Sequence, residues 1–469
     1  MARTDTLTHF LTDVADAIRA KTGSSSAIQA SDFDTEIANI TTGGDYLKND
    51  VTFFDYDGTV LYSYNKNDFL ALSALPENPS HEGLTAQGWN WTLADAQAYV
   101  TRWGKINIGQ NYCTNDDTER IYINIDSDRV NKQVTVQFVE YNTGDATSAN
   151  TVDWGDGSTP EAWSAYMYHT YTQEGHYVIK VNNSNGALCF NNGYSSFNTV
   201  TMSSPSLLPN ITKIELSRKL KIKNTTGYMF ASLTSLKAIT IPSHLSFYGN
   251  YTFSNCYALE CLVLPKECVS IGSRFCANCR RLKHVCMGKE ITTIGSSDYG
   301  CVAFSNCVSL EELYLPDPTD VSNTDYHCGQ ICEYCGSLKE VIIPINTGDN
   351  EWQSSFYYCM ALTDIKGYIK LCRNTFYYCY ALQGKIKPVT ATIYGNVFCY
   401  SPNVAYIDCS DYESVPTYGA SSSYPIVYPT SSPTPRIIVP DALYDAWVSA
   451  WSSAVSYDRN RLVKASTVA

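Results

Sequence analysis

Between Met229 and Cys409 a pattern of the form aromatic-x-x-Cys-x-x-Leu recurs eight times, and it constrains the fold more than any other feature. The copies open at Phe230, Phe253, Cys276, Phe304, Cys332, Phe356, Phe376 and Phe398. Their central position holds Leu233, Cys256, Cys279, Cys307, Cys335, Cys359, Cys379 and Ser401, returning after 23, 23, 28, 28, 24, 20 and 22 residues. Most copies run on into Leu-x-x-hydrophobic-x-hydrophobic, often closed by proline, as in Leu259, Leu262, Leu264 and Pro265. Such a period predicts a solenoid, in which each coil buries its apolar edge only against its neighbours. A stack of this kind offers a long regular surface for holding something.

The cysteines follow the same logic. Of 18, 16 lie between Cys256 and Cys409. Cys276-x-x-Cys279 and Cys332-x-x-Cys335 have the spacing of half a zinc site, but each pair occupies the two columns that hold Phe and Cys in other coils. Cysteine is small and readily buried, so a thiol ladder inside the stack is expected, with no metal and no cofactor. A disulfide between stacked coils is geometrically possible, but with no secretory route visible reduced thiols are expected.

At 469 residues the chain exceeds one core, and two to four domains are expected. A net charge of −13 without any Lys/Arg block argues against nucleic acid as a partner. Residues 1–20 lack a basic start followed by an apolar run, and no stretch reaches about 18 apolar residues, so neither a secretory signal nor membrane insertion is expected.

Residues 1–44 read as a helical attachment segment. Leu7, Phe10, Leu11, Val14 and Ile18 form one apolar stripe, and Phe33, Ile37 and Ile40 a second behind Ser31-x-x-Asp34. Residues 45–117 read as a small α+β unit, with strands Val51–Phe54 and Thr59–Tyr64 around Asp57-Gly58. It continues with helices over 68–75 and from the Thr92 cap to Gly104, then strand pattern at Ile106–Ile108. Residues 118–203 carry short strands fit for a β-sandwich, and 204–412 the solenoid. Residues 413–436 look too loose for another regular coil. The helix carrying Leu443, Tyr444, Trp447, Val448 and Trp451 would close the stack within 413–469. The fold class is thus multi-domain and mainly β.

Asp55-Tyr56-Asp57-Gly58-Thr59 resembles the first motif of haloacid dehalogenase-type phosphohydrolases, whose chemistry needs further carboxylates and a lysine on a run of parallel strands. Here the unit is small, the next segment is not such a run, and Asp116-Asp117 imitates the acidic pair without a strand-borne apolar lead-in. A hairpin turn is expected there, and no catalytic residue is assigned. Val152-Asp153-Trp154-Gly155-Asp156-Gly157-Ser158, then His169-Thr170-Tyr171 and Gly175-His176-Tyr177-Val178, resemble the PKD domain, which implies an immunoglobulin-like sandwich. The repeats themselves are similar to BspA-like leucine-rich repeats of bacterial and phage-encoded surface proteins, implying adhesion rather than catalysis. Two longer coils, ending at Cys307 and Cys335, imply outward loops at Ser296–Gly300 and Asp317–His327. Leu11-x-x-Val14-Ala15-Asp16-Ala17-Ile18-Arg19-Ala20-Lys21-Thr22-Gly23 and Leu84-Thr85-Ala86-Gln87-Gly88-Trp89-Asn90-Trp91 resemble segments of tail-associated proteins of tailed bacteriophages.

Together these resemblances imply a non-enzymatic virion protein of the tail-fibre or receptor-binding type, assembled in the host cytoplasm. Its N-terminal region would join other virion proteins, with homo-oligomerisation, a trimer being one option. The solenoid would meet a host-surface protein or glycan. Trp352, Tyr357, Tyr358, Tyr377, Tyr378 and Tyr380 are the candidate contacts, unless the tyrosines merely brace the stack. A structural or decoration protein of tail or capsid is the alternative, and a cellular surface adhesin a further one.

Overall fold

The computed structural model describes residues 50–468 apart from 132, 137, 141–143, 145, 148, 165–166, 187, 191–199, 203–209, 223–226, 248, 296–300, 319–324, 346–351, 421–424, 427–434 and 452–455. The proposed N-terminal attachment residues (Leu7, Phe10, Leu11, Val14, Ile18, Phe33, Ile37, Ile40) therefore lie outside the described residues, as do 296–300 and much of the second expected loop.

In the first unit, Val51–Phe54 pairs with Val60–Tyr64 across a turn closed by Asp55 N–H to Thr59 O (2.8 Å) and Gly58 N–H to Asp55 O (3.1 Å). Val51–Phe54 also pairs in parallel with Ile106–Thr114, which pairs antiparallel with Leu84–Trp89. Thr92 caps the helix Leu93–Trp103, accepting from Asp95 N–H at 3.2 Å, and Gly104 ends it. The other helix, Lys66–Leu70, starts and stops earlier than its apolar pattern predicts. Asn65 provides its cap, its side chain accepting from Asp68 N–H at 2.9 Å, and the helix stops well before Pro76.

The next unit is built of short strands in separate sheets. One sheet runs Ala238–Thr240, Asn210–Glu215, Thr118–Ile125, Gly175–Asn182, Thr151–Asp153, Glu161–Ala162. Met167–Thr170, Gln133–Val136 and Val200–Met202 form a second sheet. The alternation in Thr118–Ile125 is realised, with Glu119, Ile121, Ile123 and Ile125 buried. The W-G-D-G-S turn is held by its own carboxylates: Asp153 accepts from Gly155 N–H (2.9 Å) and Asp156 from Ser158 N–H (3.0 Å). Asp156 also meets His169 Nε2 at 2.7 Å, while the His169 ring stacks on Trp154. Burial pushes the Asp156 carboxyl up, but the Ser158 and His169 hydrogen bonds outweigh it and hold the group at about 2.

The segments on either side of residue 203 share a sheet. Asn210–Glu215 pairs antiparallel with Thr118–Ile125 on one side and in parallel with Ala238–Thr240, the first coil strand, on the other. One hydrophobic core accordingly runs from Ile121 to Leu462. At this joint Glu119 is fully buried, accepting from Ser217 N–H (2.6 Å), Ser217 Oγ (2.6 Å) and Asn183 Nδ2 (3.2 Å), with no cation paired to it among the described residues. Burial raises its pKa to about 7 against those three donors. An acid raised in the folded state stabilises the fold below its unfolded pKa, near 4.5, and loses that contribution as pH rises through 7. We expect stability to fall between pH 5 and pH 8 by on the order of 3 kcal/mol from this group. Denaturant titrations should show that slope in the wild type and a flatter one in Glu119→Gln; equal slopes would contradict it.

The coils stack through parallel strands. Cys261–Val263 pairs with His284–Cys286, Glu312–Tyr314 with Glu340–Ile343, and Glu340–Ile343 with Asp364–Gly367; farther on, Gly384–Ile386 pairs with Val404–Asp408. The stack extends past 412. Thr417–Gly419 pairs with Thr392–Tyr394, so part of the segment expected to be loose forms another rung. Arg436–Val439 pairs with Val404–Asp408 and Leu462–Lys464 with Arg436–Val439. Between these last two strands, helix Tyr444–Ala450 buries Trp447, and Trp451 at its end is buried beside it.

Candidate binding surfaces of the repeat stack

The repeat pattern becomes columns. The eight opening residues are completely buried, the central ones nearly or completely so, as are Leu236, Leu259, Leu282, Leu310, Leu338, Leu362, Leu382 and Val404. Phe356, Phe376 and Phe398 stack at 5.7 and 5.4 Å with rings 7° and 15° from parallel. The thiols have a further task. Cys256, Cys279, Cys307, Cys335, Cys359 and Cys379 each donate S–H, at 3.0–3.1 Å, to the carbonyl of the opening residue one coil back. Ser401 does the same with its hydroxyl toward Phe376 O. The column thus asks for a small side chain with one donor, because that carbonyl is otherwise an unpaired acceptor in an apolar interior. The 17 cysteines whose side chains are described are all buried, and burial pushes the Cys276, Cys307, Cys332 and Cys359 thiols well above their ordinary range. No group of three or more His, Cys, Asp or Glu side chains fit to hold a metal ion exists among the described residues.

The sheet face of the first coils is closed by the α+β unit. Strand Ile106–Thr114 is buried at every residue because one side faces its own helices and the other lies on the coil strands. A Cβ on Gly109 would stand 2.4 Å from Val263 Cγ1 and 2.9 Å from Cys286 Cβ, and one on Gly58 2.9 Å from Cys261 Cβ. Polar groups pin the contact: Trp91 Nε1 donates to Met287 O (2.7 Å), Tyr99 OH to Leu315 O (2.7 Å) and Asn107 Nδ2 to Glu312 Oε1 (2.9 Å). Lys105 pairs with Glu340 at 2.6 Å, and Phe54 stacks on His284. Cys261 and Cys286 therefore face this unit and not the interior columns. Inside the unit, Asp55 is bound by Tyr56 N–H (2.9 Å) and His81 Nε2 (2.8 Å) at the expected turn.

The open surface lies along the edge where the chain bends at each opening residue. The residues two before and two after it adopt left-handed backbone, with φ between 50° and 69°. In the second, third and fourth coils the later position holds Asn255, Asn278 and Asn306, which tolerate that conformation and form an amide ladder at 3.0 and 2.9 Å. From the fifth coil on it holds Tyr334, Tyr358, Tyr378 and Tyr400, whose rings follow one another at 5.2, 4.4 and 4.5 Å. Tyr357 and Tyr377 form a second column at 5.1 Å. Left-handed backbone costs a non-glycine residue roughly 1–2 kcal/mol, and ring stacking returns about 0.5–1.5 kcal/mol.

Tyr357, Tyr358, Tyr377 and Tyr378 are half-buried, and Tyr380 is 43% exposed. Trp352 is a correction: it is 0% exposed, packed beside Phe356, and presents nothing to a partner, because an apolar indole between coils gains more from burial than from water. Tyr334 (43% exposed) and Tyr400 (38%) belong to the ridge and were not expected there; Met360 (47%) is exposed as well. Aligning the copies on the residue before each central position would have found both tyrosines. Since the rings cover one another's faces, the ridge offers edges and hydroxyls, not open faces.

Residues 206–333 and 299–405 match the family model described as BspA type leucine rich repeat region. Among solved structures the chain is similar to a leucine-rich repeat protein of T. pallidum, at 22% identity over 36% of this chain and 74% of that one, with a TM-score of 0.29. It is also similar to one from Bacteroides ovatus ATCC 8483, at 15% identity over 54% and 84%, with a TM-score of 0.20. No curated protein matches.

Proposed function

We propose, from the premise that residues 206–405 are leucine-rich repeats of the BspA type, that this chain is a non-enzymatic binding protein which holds its partner along the tyrosine ridge. One observation carries the reading: a stack whose sheet face is closed over its first coils keeps a file of half-buried to exposed tyrosines in a costly backbone conformation. Stacked rings present edges and hydroxyls, which suit a protein patch better than sugar rings that need an open aromatic face. The setting we propose is a virion of the tail-fibre or receptor-binding type, supported by the resemblance of the first hundred residues to tail-associated proteins. Residues 1–44 would join other virion proteins or further copies of the chain, and the ridge would meet a host-surface protein. Several copies on one particle would raise avidity without strong single contacts.

The repeats themselves supply the control. Asparagine holds the ridge position in earlier coils, so the triple variant Tyr358→Asn, Tyr378→Asn, Tyr400→Asn should fold. Labelled full chain should bind intact bacterial cells of a responsive strain, and the variant should bind at least ten-fold more weakly. Protease treatment of the cells should abolish binding. A chain that binds no cells, with its ridge shielded in purified particles, would instead be a structural or decoration protein.

A further inference from the structure

We propose that the same edge, in its first three coils, holds a second binding site: a groove that takes an acidic saccharide. The position after each opening residue forms its floor. There Ala231, Ser254 and Ala277 are small, where the later coils carry Tyr357 and Tyr377. One wall is Tyr228, Tyr251 and Arg274, and the other is Ser232, Asn255 and Asn278, enclosing a volume of about 260 Å³. That is just below the roughly 300–1,000 Å³ of pockets for drug-sized ligands, so one sugar ring fits and its neighbours run along the stack.

The groove is rich in donors. Arg274 lies 5.6 Å from the Tyr251 ring, and its buried Nε–H has no partner among the described residues. Asn255 uses its amide oxygen to accept from Asn278, which leaves its Nδ2 for a ligand. Glu333, farther along the floor, accepts from Gln330 at 2.7 Å and feels the Arg274 charge without pairing with it. A group rich in acceptors and carrying one carboxylate answers these donors, since a guanidinium prefers a carboxylate to any neutral acceptor. An extended peptide fits less well. The backbone N–H groups here are spent between coils, as in Ser232 to Ser254 O (2.7 Å), Asn255 to Ala277 O (2.9 Å) and Asn278 to Ser305 O (2.8 Å). No strand edge remains for it to join. Hydroxyls from Ser232 and Tyr251 complete a lining suited to a polyhydroxylated ring.

The test is calorimetric titration of the full chain with trigalacturonate, N-acetylneuraminate, maltotriose and hexaglutamate. At least one of the two acidic saccharides should bind saturably, and maltotriose at least ten-fold more weakly. Arg274→Gln and Ala277→Tyr should each weaken binding ten-fold or more. The second variant copies the residue type that later coils accept at this position, and an unchanged melting temperature would show that it folds. The ridge variant should bind the saccharide normally, which separates this site from the ridge. Absence of binding by both acidic saccharides, binding that survives both groove variants, or hexaglutamate binding as tightly through Arg274 would each overturn the proposal.

Discussion

Replacing Gly109 by leucine should detach the α+β unit from the coil strands while leaving the stack intact. The first atom of any side chain there would stand 2.4 Å from a Val263 methyl, well inside van der Waals contact. Overpacking of this kind typically costs about 1–3 kcal/mol, and a two-sided strand cannot yield without lifting from one of its faces. The readout is chemical. Cys261 and Cys286 are shut from solvent by the docked unit, whereas Cys279 and Cys307 are shut in by neighbouring coils. Alkylation followed by mass spectrometry should label the first pair in the variant and spare the second. Uniform protection, or uniform labelling, would show that docking is not what Gly109 permits.

Phe376→Ala should have the largest effect on stability, about 3–5 kcal/mol, as a buried phenylalanine is truncated between Phe356 and Phe398. Because each coil is held mainly by its neighbours, the damage should be regional. Cys379, Cys399 and Cys409 should become reactive at denaturant concentrations that leave Cys256, Cys279 and Cys307 protected. Loss of protection in all six thiols together would mean that the stack unfolds as one unit. Cys307→Ser, which keeps a donor toward the Cys276 carbonyl as Ser401 does toward Phe376, should be milder than Cys307→Ala in the same assay.

These expectations separate what a repeat states from what a fold adds. The period in the sequence determined the buried columns and the thiol ladder, and local turn and capping residues determined the turn at Asp55–Thr59 and the caps of helix Leu93–Trp103. Each of these rests on contacts between residues close in the chain or exactly one coil apart, which spacing alone specifies. The tyrosine ridge was half legible: Tyr357, Tyr358, Tyr377, Tyr378 and Tyr380 stand in an adjacent-Tyr pattern, while Trp352 looks the same in composition and lies wholly inside. Only the tertiary structure decided that the α+β unit covers the first coil strands and that Thr118–Ile125 shares a sheet with the first coil strand. The first depends on surfaces about 150–250 residues apart in sequence and the second on strands about 90 residues apart, and apolar side chains look alike whichever surface they meet. One trace was present. Cys261-Leu262-Val263 and Val341-Ile342-Ile343 are apolar at successive positions, as strands buried on both faces are, instead of alternating with polar residues.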